Sequence, residues 1–257
     1  YLAVLAGVGF LVVTLLFGRE YYGAKNWLVI GGMSLQPSEL SKVCFVYAGA
    51  STMDRIMNKR NLILFIAYSV VICGLLALMN DFGTAMIFFC AFLIIAYLRS
   101  GSMGTIALAC TALGFAGVLA IRIAPHALSR FASWRHIWEN PYTTGYQQTQ
   151  AIMCIASGGL FGLGPGNGFL QKVFAADSDI VFATISEEWG LLTALQAVLA
   201  ISALGLFAIR TSRISRSSFY CIGGCTAAGI LLIQAALNCL GTVDVLPFTG
   251  VTFPFLS

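Results

Sequence analysis

The sequence predicts an all-α fold, a polytopic bundle of transmembrane helices, and three observations lead to that prediction. Hydrophobic residues make up 59% of the 257 residues and charged residues only 9%, whereas soluble domains are roughly 45–50% apolar and about 25% charged. The apolar residues form runs of membrane-spanning length. Basic residues concentrate in alternate segments between these runs. This composition excludes a soluble globule, a disordered chain and a nucleic-acid-binding protein.

Seven apolar runs are candidate spans, since a helix needs roughly 20 apolar residues to cross the hydrocarbon core. The runs are 2–17, 39–53, 61–79, 82–98, 103–121, 189–209 and 219–240. The second run is short and carries Glu39 and Lys42 near its start, which predicts a helix that begins at the interface or inside the protein. Because the chain starts within an apolar run, lacks an initiator Met and stops abruptly, we expect a fragment truncated at both ends.

Charge orients the chain in the membrane. Seven of the fourteen basic residues lie in the short segments 54–60, 99–104 and 210–217, so these segments are predicted to face the cytoplasm. Of the ten acidic residues, only Asp54 lies on that side. The segments predicted to be extracytoplasmic are 18–38, 80–81, 122–188 and 241–257. The polar chemistry is therefore expected at the outer face.

The segment 122–188 is predicted to be a long extracytoplasmic loop between spans five and six, and long ordered loops are usually functional. Residues 130–138 mix Trp and Arg as an interfacial segment does. The apolar piece 151–161 is too short to span and predicts a re-entrant segment. The glycines of 158–168 lack the Lys-Ser/Thr of a nucleotide loop. They predict a flexible, close-packed turn, with an anion site built from backbone N–H groups as the alternative.

Acidic residues and one lysine at the outer ends of the runs are the candidate functional residues. Asp179 lies at the mouth of the predicted bundle. Glu39 and Lys42 are spaced i, i+3 and are predicted to pair, although Glu39 equally suits a helix N-terminus. A Lys42 ammonium about one turn inside an apolar run needs a polar cavity with a carboxylate or phosphate. Asp81 lies between two spans, where an acid is typically a helix cap.

Seven motifs follow one another along nearly the whole chain. They are Ala24-Lys-Asn-Trp27, Gln36-Pro-Ser-Glu-Leu-Ser-Lys42, Asp81-Phe-Gly-Thr-Ala85, Gly145-Tyr-Gln147 with Gln150, the glycine-rich 157–168, Asp179-Ile-Val-Phe-Ala183 with Glu187-Glu188, and Leu246-Pro-Phe-Thr-Gly250 with Pro254 and Leu256-Ser257. Together they resemble the SEDS family (shape, elongation, division and sporulation), whose members include RodA, FtsW and SpoVE. The chain departs from the family pattern at Asp177-Ser178, where the family usually has His-Thr.

The resemblance implies a fold of roughly ten spans, of which a single SEDS-type membrane domain over residues 1–257 would contain about seven. It implies a multi-pass protein of the bacterial cytoplasmic membrane that acts as an inverting peptidoglycan glycosyltransferase. The implied substrate is lipid II, polymerised at the outer face, and the implied partner is a class B penicillin-binding transpeptidase. The process would be cell shape, division or sporulation. Membrane lipid is a further expected partner, and nucleic acid is not.

Carried over residue by residue, the resemblance makes Asp179 the general base, while Asp177 leaves open which carboxylate acts. Lys42 would pair with Asp179 at rest or hold the departing pyrophosphate, and Glu39 would orient Lys42. The expected substrate-binding residues are Trp27, Gln36, Asp81, Tyr146, Gln147, Gln150, Glu187 and Glu188. The sequence requires no cofactor and has no metal-ligand cluster. Whether a divalent cation bridges the pyrophosphate stays open.

Two other functions stay open, namely a transporter that flips lipid II and a non-catalytic scaffold for a transpeptidase. Transporters place their polar site near the bilayer midplane on broken helices. Here the main midspan polar residues are Gln196, Gln234 and Asn238, and the charges gather at the outer ends. This placement favours an enzyme of the outer face.

Overall fold

The computed structural model describes residues 2–21, 24–30, 33–54, 59–107, 109–111, 114 and 134–257. The helices along these ranges are α1 Leu2–Phe17, α2 Pro37–Asp54, α3 Lys59–Leu78, α4 Phe82–Ser100, α5 Tyr146–Gly158, α6 Val181–Trp189, α7 Leu191–Arg213 and α8 Ser218–Thr242. Two short 3-10 turns lie at Ile137–Glu139 and Leu170–Lys172. The chain is therefore mostly helical, as predicted.

Four helices of the described chain are long and apolar enough to cross a membrane. They are Arg60–Leu78, Phe82–Ser100, Leu191–Arg213 and Ser218–Thr242. The apolar helix α1 is shorter, with 16 residues, and α2 carries Glu39, Lys42 and Asp54. The run 103–121 lies largely outside the described residues, which are helical at 103–107, 109–111 and 114. The count of seven spans and the place of the long loop between spans five and six stay predictions.

A small sheet occupies residues that were predicted to be a loop. Its strands are β1 Arg19–Tyr21, β2 Ala24–Ile30 and β3 Met33–Leu35, antiparallel in the order β1-β2-β3. The all-α prediction is wrong for this stretch. The signal was present, because two apolar segments separated by a pair of glycines, Gly31-Gly32, are typical of a hairpin.

The chain divides into two compact units, and the first contains residues 1–124 and 207–230. In it, α2 contacts α1, α3 and α4. The ring of Phe45 lies at the centre, with centroid distances of 5.3 Å to Phe65, 5.4 Å to Tyr68 and 5.2 Å to Phe88. A Cβ at Gly49 would lie 3.0 Å from the Phe65 ring. The glycine therefore lets α2 and α3 approach closely.

The second unit contains residues 125–206 and 231–257 and has two buried apolar clusters. One joins α5 to the segment before α6, through Ala151, Cys154, Leu170, Val173, Ala176, Ile180 and Ala183. The other joins α6 to α7 and α8, through Val181, Phe182, Ala194, Ile201, Ala235 and Phe253. Residues 180–183 contribute to both clusters. The backbone that follows Asp179 is therefore fixed from two sides.

Candidate active site

The predicted pair of Lys42 and Glu39 is confirmed in the first unit. The Lys42 Nζ lies 2.7 Å from Glu39 Oε2 and 2.8 Å from Oε1. The Lys42 side chain is 7% exposed and that of Glu39 is 46% exposed. Helix α2 begins at Pro37, a residue suited to a first helical turn, so both side chains lie near the start of the helix. The carboxylate thus compensates an ammonium that would be costly to bury alone.

Asp81 caps α4 and ties it to the sheet. Its Oδ1 accepts a hydrogen bond from the Thr84 N–H at 3.1 Å, and its Oδ2 accepts one from Asn26 Nδ2 at 3.2 Å. The predicted cap is confirmed, with an unpredicted bond to β2. The Asp81 carboxylate also acts attractively on the Lys42 charge. We call Asn26, Glu39, Lys42 and Asp81 the lysine cluster.

Two predicted substrate contacts border the lysine cluster in sequence. Trp27 follows Asn26 on β2 and is half-buried. Gln36 precedes α2, and its buried Oε1 accepts no hydrogen bond from the part of the chain that the structure describes. That oxygen is suited to accept a bond from a ligand hydroxyl.

Asp179 lies in the second unit, on the turn that leads into α6. Its backbone N–H donates to the Ala175 carbonyl at 2.9 Å, and the Ser178 hydroxyl donates to its Oδ1 at 2.6 Å. Asp179 is half-buried, whereas Asp177 is exposed. The two candidate carboxylates therefore differ in environment, and among the described residues Asp179 is the one of the two that is held by hydrogen bonds.

Residues far along the chain hold the Asp179 turn. Asn238 on α8 donates from Nδ2 to the carbonyls of Asp179 at 2.9 Å and Val251 at 2.7 Å. Gly250 has φ +64, and a Cβ there would lie 3.0 Å from Asp179 Oδ2. The Ser257 hydroxyl lies 3.2 Å from the Ser178 carbonyl. The sequence reading did not place these residues in the site, although the motif around Gly250 and the polar Asn238 inside an apolar run were signals for them.

The adjacent glutamates have different surroundings. Glu187 is 1% exposed, and its two oxygens accept bonds from the backbone N–H groups of Phe169 at 2.8 Å and Leu170 at 3.0 Å. Glu188 is half-buried and accepts a bond from the exposed Gln171 side chain. These contacts assign Glu187 to holding the turn at 169–170. Substrate binding by either glutamate stays a prediction.

The glycine-rich segment is a close-packed turn, as predicted. Gly162 has φ +83, and a Cβ there would collide with the Glu188 carbonyl oxygen. Gly190 has φ +89, and a Cβ there would collide with the Leu160 carbonyl oxygen. At Gly168 a Cβ would meet carboxylate oxygens of both glutamates, at 2.8 and 2.9 Å. Carboxylates so close to the turn repel anions, which argues against the anion-site alternative.

Three of the predicted substrate contacts lie on α5. Tyr146 is 37% exposed at the helix start, Gln147 donates to the Phe174 carbonyl at 2.9 Å, and Gln150 is half-buried. The sequence reading passed over Gln148, which is 3% exposed and donates to the Gly241 carbonyl at 2.8 Å. Gln148 therefore fastens α5 to the end of α8.

The structure thus assembles the predicted residues in two groups. The lysine cluster lies in the first unit and Asp179 in the second, so a pair between Lys42 and Asp179 at rest stays a prediction. Within the described ranges, no group of three or more His, Cys, Asp and Glu side chains could hold a metal ion.

Known proteins resemble this chain along its whole length. The family model of FtsW, RodA and SpoVE, described as "Cell cycle protein", matches residues 1–257. The peptidoglycan glycosyltransferase RodA of Mycobacterium tuberculosis is 30% identical over 279 residues, which cover 100% of this chain and 59% of the relative. The probable peptidoglycan glycosyltransferase FtsW of Nitrosococcus halophilus is 32% identical, with 98% of this chain and 68% of the relative covered. The chain thus spans less than two thirds of the mycobacterial relative.

A solved structure supports the fold. It is described as "Structural coordination of polymerization and crosslinking by a peptidoglycan synthase complex". One of its chains matches with a TM-score of 0.78 at 22% identity, over 100% of this chain and 74% of that chain. At this identity the likeness is one of fold alone.

Proposed function

This chain belongs to the FtsW/RodA/SpoVE family, and on that premise we propose that the whole protein is a peptidoglycan glycosyltransferase that polymerises lipid II. The chain is part of a multi-pass protein of the bacterial cytoplasmic membrane. Relatives named peptidoglycan glycosyltransferase support the proposed activity. The observation that carries the proposal is the built environment of Asp179, a carboxylate held by α8 and by the segment after it.

In the proposed reaction, the 4-hydroxyl of the acceptor's terminal sugar attacks the anomeric carbon of a lipid-linked donor at the outer face. The bond to the polyprenyl pyrophosphate breaks with inversion. Asp179 accepts the proton of the attacking hydroxyl, a contribution of typically ~10²–10⁴-fold in rate. Two contacts support this role, because the Ser178 hydroxyl orients Oδ1 at 2.6 Å and Gly250 keeps side-chain bulk away from Oδ2.

Lys42 is proposed to stabilise the negative charge that develops on the departing pyrophosphate. Its burial supports this role, because a charge acts more strongly in a site with little water. Glu39 positions Lys42 through the 2.7 Å ion pair. The residues that we propose to contact substrate are Trp27, Gln36, Asp81, Tyr146, Gln147, Gln150, Glu187 and Glu188. Glu187 would act through the turn that it holds.

We propose a class B penicillin-binding transpeptidase as the partner and cell shape, division or sporulation as the process. The solved relative described as a peptidoglycan synthase complex supports such a partner. We assign no cofactor to the protein itself. A divalent cation, where one takes part, would arrive with the pyrophosphate, and chelation with EDTA tests this.

The paired variants Asp179→Asn and Asp177→Asn test the proposal in the full-length protein with its partner. We expect Asp179→Asn to lower lipid II polymerisation by at least about 100-fold while expression and complex formation stay intact. The exposed Asp177→Asn is the matched control and should keep most of the activity. The reverse result would make Asp177 the base.

Two further assays separate the alternatives. An Asp179→Asn strain that grows as the wild type would support the scaffold. Reconstituted protein that moves lipid II across a bilayer without polymerising it would support the transporter.

A further inference from the structure

A pocket of about 410 Å³ lies where α7 ends and α8 begins, entirely within the first unit. Its lining residues come from the end of α7, the connection and the first turns of α8. They are Thr211, Ser212, Ser215, Phe219, Tyr220, Gly223 and Gly224. None of them belongs to the lysine cluster or to the Asp179 turn. The pocket is therefore distinct in its lining from the residues of the proposed reaction.

The predicted orientation places the pocket at the depth of the lipid headgroups. Both helices that form it can cross a membrane, and the segment 210–217 between them is predicted to face the cytoplasm. Gly224 is six residues beyond Ser218, where α8 begins, which places it ~9 Å along the helix. The pocket thus reaches from the membrane surface toward the acyl chains. Tyr220, 67% exposed, is a residue type enriched at this interface.

Three arginines flank the lining residues of the pocket in the sequence. Arg210, Arg213 and Arg216 alternate in sequence with the three hydroxyl residues of the lining and are exposed. Residues 207–230 contain no Asp or Glu. Of the ion pairs formed by the described residues, none includes these three arginines. Such a group of cations suits an anionic ligand.

Two glycines shape the inner wall. A Cβ at Gly224 would collide with the Ser212 side chain, so α8 approaches the end of α7 closely there. At Gly223 a Cβ would make an ordinary 3.6 Å contact with Ala50, so packing alone does not require this glycine. Phe219 and the glycines give the inner part an apolar surface, while the hydroxyls of Thr211, Ser212 and Ser215 lie toward the arginines in sequence.

We propose that this pocket binds one anionic phospholipid of the cytoplasmic leaflet. The arginines and hydroxyls receive the phosphate and the glycerol, and an acyl chain lies over Phe219 and Gly223. The positive-inside rule accounts for basic residues on this side, but it does not account for a largely apolar pocket between them. A lipid fits better than an acidic protein segment, because the lining of the pocket is mostly apolar and would suit an acyl chain.

Native mass spectrometry of the delipidated full-length protein in detergent tests the proposal. We expect one retained dioleoyl phosphatidylglycerol and at least ten-fold weaker binding of dioleoyl phosphatidylcholine. Each basic residue near an anionic surface contributes about five-fold in affinity, so the triple variant Arg210→Gln, Arg213→Gln, Arg216→Gln should bind phosphatidylglycerol at least ten-fold more weakly. The matched control removes three charges from the basic segment 54–60, in the triple variant Arg55→Gln, Lys59→Gln, Arg60→Gln, and should bind as the wild type does.

A second variant tests the pocket without changing its charge. Thr211 is exposed, and its hydroxyl bonds to the Phe207 carbonyl of its own helix at 3.0 Å, so Thr211→Trp should fold and fill the pocket. We expect it to lose the lipid, while Thr211→Ser, which keeps the hydroxyl and adds no bulk, retains it. Equal binding of the two lipids, equal losses in the two triple variants, or full binding by Thr211→Trp would overturn the proposal. Retention of a poly-glutamate peptide without retention of lipid would assign the pocket to an acidic protein segment instead.

Discussion

Replacing Glu187 with glutamine tests whether Glu187 stabilises the fold more than its neighbour Glu188 does. The carboxylate is 1% exposed and accepts backbone N–H bonds from Phe169 at 2.8 Å and Leu170 at 3.0 Å. Glutamine has the same size but only one acceptor oxygen. Its NH₂ group would face a backbone N–H, so one bond is lost and the other is no longer charge-assisted.

The expected loss of stability follows from the two backbone hydrogen bonds that Glu187 accepts. A hydrogen bond to a charged group contributes about 1.5–3 kcal/mol net, so Glu187→Gln should lower the free energy of unfolding by about 2–4 kcal/mol. For a domain of this size that is a drop of roughly 4–16 °C in Tm. Glu188→Gln is the matched control. Its bond to the exposed Gln171 should contribute less than about 1 kcal/mol.

Thermal unfolding of the full-length protein in detergent measures both variants. Cys154 gives a second readout, since burial, helped by the Glu187 carboxylate, raises the pKa of this thiol to about 12. The wild-type thiol should therefore resist maleimide at pH 8, and Glu187→Gln should speed its labelling. Equal Tm shifts in the two variants, or a larger shift in Glu188→Gln, would refute the reasoning.

The packing and the ion pair support three more predictions. Gly162→Ala should destabilise the protein by more than about 2 kcal/mol in thermal unfolding, because of a positive φ and a collision with a carbonyl oxygen. Gly101→Ala, at φ +61 and ψ +5 with no atom near, should lose only about 1 kcal/mol, and equal losses would contradict the packing argument. Asn238→Leu should lower the kcat of lipid II polymerisation at least ten-fold with little change in KM, because Asn238 holds the Asp179 carbonyl. An unchanged kcat would show that Asn238 does not position Asp179. Lys42→Met should abolish polymerisation and Glu39→Gln should only weaken it. A larger loss of activity in Glu39→Gln than in Lys42→Met would contradict their assigned roles.

The helices of the fold could be predicted because the bilayer leaves few alternatives. Backbone groups in lipid must bond within their own segment, so a long apolar run becomes a helix. The runs 82–98 and 189–209 became helices Phe82–Ser100 and Leu191–Arg213. The three-stranded sheet was not predicted, because strands of three residues, such as β1 and β3, carry no measurable periodicity and only the glycine pair before β3 indicated a hairpin.

In the candidate site, contacts between residues close in sequence could be predicted, whereas contacts between distant residues could not. Glu39 and Lys42 are three residues apart on one helix, and their pairing follows from helical geometry. The bond from Asn238 to the Asp179 carbonyl joins residues 59 apart. No spacing rule connects such residues, so the sequence reading found the aspartate but not the residues that hold it.

The attachment of Asp179 has a consequence for biosynthesis. Its turn is fastened by Asn238, 59 residues later, and its neighbour Ser178 is contacted by Ser257, 79 residues later. A ribosome adds ~5–20 residues per second, so ~4–16 s pass between the synthesis of Ser178 and that of Ser257. During this interval the nascent protein presents a carboxylate without its fixed orientation. Translation order therefore delays the fixing of the proposed base until α7 and α8 have been synthesised.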